Sequence, residues 1–165
     1  MPTWKPVENR LGIKAMTNID SSDEYGIGTI IRAKDATNGD GEFMYCTGVA
    51  SCLAGSFVHI NADDFSITLA VADGIGPMGV ALGALVADKY GWVQIGGKAS
   101  GRALASFADN GNVYLTATAG YVDDAVVDGD YVRNAKGASA VVSATSLADF
   151  ELARPFSTDD LETGS

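Results

Sequence analysis

The side chains in this 165-residue chain best suited to chemistry are its aspartates, which fall in close pairs: Asp63 with Asp64, Asp123 with Asp124, Asp128 with Asp130, and Asp159 with Asp160. Paired carboxylates can divide acid and base roles, or gather around Ca²⁺, which takes roughly six to eight oxygen ligands. The loop Asp35 to Glu42 approaches the start of a calcium loop if Asn38, Asp40 and Gly41 take its third, fifth and sixth places. The first place then falls on Ala36, which offers no side-chain oxygen. The plainer reading of every pair is a solvated turn, because aspartate bonds readily to the backbone where strands reverse. His59 is the only histidine, so a nucleophile activated by a neighbouring imidazole has one candidate base. Cys46 and Cys52 are too few for a zinc site without two further ligands, and they read as small buried apolar residues. Gly26-Ile27-Gly28 and Gly74-Ile75-Gly76 lack the Lys-Ser/Thr of a phosphate loop. The aromatic residues Tyr90, Trp92, Tyr114, Tyr121 and Tyr131 suit a sugar platform, and equally suit ordinary strand faces. No catalytic, cofactor-binding or metal-binding residue is assigned.

These residues must be carried by a fold built of short segments. Twenty glycines against four prolines, with 47% apolar residues rich in alanine and valine, point to tight turns between strands rather than to a helical bundle. At this length one core is expected, burying roughly 70% of the surface that the unfolded chain exposes. The formal charge of −10, with 11 basic residues and no basic cluster, argues against nucleic acid as a partner. No apolar run is long enough for a membrane helix, and MPTWKPVENR has no secretory leader pattern, so synthesis in a cytoplasm with free thiols is expected.

The chain is organised around Gly79 to Gly97, which reads as Gly79–Leu82, a turn at Asp88-Lys89, and Tyr90–Ile95, with Val93 and Ile95 buried on one face and Trp92 and Gln94 on the other. A helix through Ala81, Leu82, Leu85 and Val86 competes, but Gly79, Gly83 and Gly91 weaken it. Before it, Gly28–Lys34 and Glu42–Cys46 form a hairpin around Asp35–Gly41, where Asn38-Gly39 and Asp40-Gly41 accept positive φ. Gly55–Ile60, Phe65–Ala70, Asn112–Ala117, Asp130–Arg133, Ala140–Ser143 and Phe150–Arg154 read as further strands. Pro155 is expected to end the last of them. The Ala103–Ala108 run fits either a strand or a helical turn. The expected fold class is all-β, a compact sandwich or barrel of short antiparallel strands with an extended N-terminal arm. The arm spans 1–23, the β-rich domain 24–156 and an acidic tail 157–165. The arm has few residues to bury and must find its apolar contacts on its own domain or on a neighbour.

The segments Gly28–Ala33, Asp40–Tyr45, Tyr90–Ile95 and NVYLTATAGYVDDAV (112–126) together resemble small structural proteins of tailed-bacteriophage virions, of the kind that decorate or cement the capsid exterior. The likeness covers roughly residues 25 to 154 and does not extend to the arm or the tail. It implies a non-enzymatic β-rich module, trimeric, on the outer surface of the virion capsid and bound to the major capsid protein, with no cofactor and no membrane contact. The arm is then expected to lie across a neighbouring subunit through Trp4, Leu11 and Ile13. The acidic excess implies a neutral or basic landing site and attachment weakened by salt. Another virion role, such as a head-fibre base or a tail or receptor-binding component, and a glycan-binding β-module are the alternatives.

Overall fold

A computed structural model describes residues 3–6 and 14–158, and none of these is helical. Strands form where the sequence alternates: β1 (Lys5–Pro6), β2 (Ile30–Asp35), β3 (Gly39–Thr47), β4 (Phe57–Ile60), β5 (Ile67–Leu69), β6 (Gly76–Ala81), β7 (Tyr90–Arg102), β8 (Asn112–Leu115), β9 (Val122–Asp123), β10 (Tyr131–Gly137) and β11 (Leu147–Ser157). Their ladders are antiparallel and run β1-β2-β3-β7-β6-β11-β10-β8-β9, with β4 beside β6 and β5 beside β4. The path does not close on itself. The fold is therefore all-β and sandwich-like, not a barrel.

The β2–β3 hairpin turns more tightly than its composition suggests. Asp35 already pairs with Gly39, whose φ of +74° is the left-handed conformation this turn demands. Asp35 Oδ1 accepts from the amides of Thr37 (3.0 Å) and Asn38 (2.9 Å), closing the turn with a side chain.

Two long strands fold the sheet over. The first half of β7 pairs with β3 and β6, and its second half, Gly96–Arg102, pairs with β11. The change of partner falls at Gly97, φ +88°, where an added Cβ would collide with the Asp40 carbonyl oxygen. The Gln94 side-chain amide donates to the carbonyls of Gly96 (3.0 Å) and Lys98 (3.2 Å), so the bend leaves neither acceptor empty. Because β7 passes between layers, Tyr90–Ile95 is buried on both faces rather than on the aliphatic face alone. Val93 and Ile95 join Cys46, Val58 and Leu85 in one core, while Trp92 joins Trp4, Phe43 and Tyr45 in a second. A third core gathers Phe57, Phe107 and Phe150 under the second halves of β7 and β11, with Phe150 at 4.9 Å and 5.0 Å from the other two rings. Burying each such ring contributes about 1.5–3 kcal/mol.

Three expectations are corrected. Pro155 does not end the last strand: β11 continues to Ser157, because the register shifts there around Arg154, φ +53°, and a proline at a bulge removes no ladder hydrogen bond. Ser157, the last residue of β11, is buried. Residues 140–143 form no strand, since Val142 makes only an isolated bridge to Leu147. Ala103–Ala108 is neither strand nor helix but a bend after one bridge at Ala103.

Candidate functional site

The aspartates are engaged in turns. Asp64 Oδ1 accepts from the Ser66 hydroxyl (2.6 Å) and amide (3.0 Å), and these bonds hold its carboxyl below the usual range. Asp123 accepts from the Asp124 amide (2.9 Å), and its burial raises its carboxyl. Asp124 accepts from Ala108 N (3.0 Å), and buried Asp130 accepts from Asp73 N (2.6 Å). Asp40 faces Arg32 at 3.0 Å, while Asp35 points into its own turn, so the candidate calcium loop does not converge its oxygens on one point. Among the described residues no three acidic, cysteine or histidine side chains gather at one site. Asp159 and Asp160 lie outside the described residues.

His59 meets a serine, but in the wrong sense for nucleophile activation. The single proton of Ser157 Oγ goes to the Gly74 carbonyl (2.7 Å), so His59 Nε2 must itself donate to Ser157 Oγ across 2.7 Å. The contact ties β4, the turn before β6 and the end of β11 together, and burial lowers the imidazole's proton affinity. Cys46 and Cys52 are free and buried, with the Cys46 thiol pushed up to about 12 by desolvation.

The aromatic residues divide instead of forming one platform. Trp92 is buried against Tyr25 and Tyr45, Tyr114 pairs with Tyr131 at 5.5 Å, and Tyr121 takes a hydrogen bond from Arg102 (3.1 Å). Trp4, expected at a partner, is only 4% exposed and packs edge-on against Phe43 of its own chain at 4.9 Å. Leu11 and Ile13 lie outside the described residues. Further along the arm, Asp20 accepts from Lys14 Nζ (2.8 Å), Asn18 Nδ2 (2.8 Å) and the Tyr45 hydroxyl (2.7 Å), which anchors residues 14–20 to the domain.

Among the described residues, the surface holds an apolar recess of about 230 Å³, lined by Met44, Ile60, Phe65, Met78, Ile95 and Phe156. Phe156 stands at its lip, 40% exposed, a large ring left in water beside other apolar groups. Arg154 borders the recess and also lines a charged trench of about 480 Å³, where Arg154–Glu42 (3.1 Å) and Arg32–Asp40 (3.0 Å) form ion pairs. An apolar hollow with a charged margin is the anatomy of a protein contact. A last strand that ends at Pro155 leaves Phe156 outside the expected sheet. Leu152 and Phe156 are four residues apart yet face opposite ways, one buried and one exposed, because the bulge at Arg154 shifts the phase of the strand. No family model, no curated protein and no solved structure matches this chain.

Proposed function

We propose that this protein is a non-enzymatic structural component of a virion that decorates and cements the outer surface of a tailed-phage capsid by binding the major capsid protein. The observation that carries the reading is the apolar recess with Phe156 at its lip, beside a trench of ion pairs. The engagement of the turn aspartates and of His59 with backbone and hydroxyl groups supports a binding role over a reacting one. A ligand that binds the assembled shell and not free subunits stabilises the shell by mass action, and a trimer multiplies a modest contact through linked attachment.

The test is add-back. Purified protein is mixed with shells lacking it, and bound copies per capsid protein are measured by mass. Uptake in multiples of three is expected, and Phe156→Ala should lower occupancy at least tenfold while its far-UV spectrum and melting stay near those of wild type. Shells that take up no wild-type protein would discard the virion reading. Undiminished uptake of Phe156→Ala would discard the recess as the contact.

A further inference from the structure

The chain is strongly acidic as a whole, yet its charges are sorted by structural position. Cross-strand partners share a face of a sheet. Lys5 stands opposite Lys34, and Lys34 opposite Asp40. Arg32 stands opposite Glu42, Glu42 opposite Gly96, and Gly96 opposite Ala153. Lys98 stands opposite Glu151, and Glu151 opposite Lys136. These rows cross β1, β2, β3, β7, β11 and β10 on one outward face. The intervening residues Ile31, Phe43, Ala99, Phe150 and Ala135 are buried on the other. With Arg154 and Asp149, which pairs with Lys98 at 3.2 Å, the face carries six cations against four carboxylates. The net charge of −10 is thus inverted locally, with the acids gathered in turns such as Asp63-Asp64, Asp73, Asp88, Asp109 and Asp128.

Two features separate this face from an ordinary ion-paired surface. Among the described residues, no carboxylate lies within ion-pair distance of Lys5, Lys34 or Lys136. Lys5 and Lys34 are also directly opposite each other, an arrangement that opposes folding and is relieved by an external anion. The face spans six neighbouring strands, about 24 Å at the usual strand spacing, and includes the charged trench that runs to the recess at Arg154. Attraction at contact is set by charges within about 8 Å at physiological salt, so the face, not the whole-chain charge, determines what it meets.

We infer that this cationic strand face is the surface that meets the partner, and that it takes an acidic protein surface. The inference rests on the virion reading and reverses the landing-site charge expected from net composition. It is tested by add-back at several salt concentrations with two charge reversals, Lys5→Glu/Lys34→Glu on the face and Asp109→Lys/Asp128→Lys in turns away from the recess, each checked for its melting transition. The face variant should lose about tenfold or more in occupancy at low salt and show a shallower salt dependence than wild type, while the turn variant matches wild type. Wild type and face variant binding alike, or loss confined to the turn variant, would overturn the inference and leave the virion reading standing. No uptake of wild type removes the virion reading and this inference with it. A face variant that retains shell binding but changes the sedimentation of the free protein would assign the face to self-association and overturn the inference too.

Discussion

Removing the Asp20 carboxylate tests whether the arm is held by a buried polar node. Asp20 is buried and receives three donors, among them the hydroxyl of Tyr45, which is itself fully buried. In Asp20→Ala the Tyr45 hydroxyl is left without an acceptor, a cost of about 1–3 kcal/mol, and a charge-assisted bond of similar worth is lost with it. A total near 3 kcal/mol lowers the melting temperature by about 6–12 °C for a domain of this size. Tyr45→Phe alone should cost about 1 kcal/mol, and Asp20→Ala/Tyr45→Phe should cost less than the sum, because no orphaned hydroxyl remains. The acid limb adds an independent signature. Burial alone would raise the Asp20 carboxyl, but Lys14, Tyr45 and Asn18 outweigh it and hold the group below its ordinary value of 3.8. A carboxylate depressed on folding contributes its stability above the unfolded value and loses it as pH falls through the folded one. The gap between wild type and Asp20→Asn should therefore be full at neutral pH and narrow below about pH 4. Denaturant titration of the five proteins, repeated from pH 7 down to 3, measures both effects. An Asp20→Ala cost under about 0.5 kcal/mol, or strict additivity with Tyr45→Phe, would refute the node.

Two glycines separate crowding from backbone strain. At Gly48 an added Cβ would meet the carbonyl oxygens of Val86 and Leu85, backbone that cannot step aside, so Gly48→Ala should lower stability by about 3 kcal/mol or prevent folding. At Gly39 nothing lies within 4 Å but φ is +74°, so Gly39→Ala should cost only about 1–2 kcal/mol, read in the same denaturant titration. Cys46 should resist a thiol reagent in the native protein and react at the rate of global unfolding, since its thiol is buried and pushed up to about 12; rapid native labelling would contradict its placement in the core.

Much of the local structure follows from the chain alone. Alternation in Ile30–Asp35 and Phe43–Cys46 specifies a strand pair, and Asp35, Asn38 and Gly39 specify its reversal, because side-chain direction and φ are short-range steric properties. The lone histidine and the turn-placed aspartates are equally visible in sequence. The recess is not, because it is assembled from β3, β4, β6, β7 and β11, which no period connects. Nor is the double-sided burial of Tyr90–Ile95, which depends on separate cores packing against Val93 and Ile95 and against Trp92. Composition gives the sign of the total charge. Only the pairing of β1 with β2 sets Lys5 beside Lys34, and only the wider register gathers the cations on one face, because cross-strand neighbours are chosen by long-range packing and not by the residues adjacent in the chain.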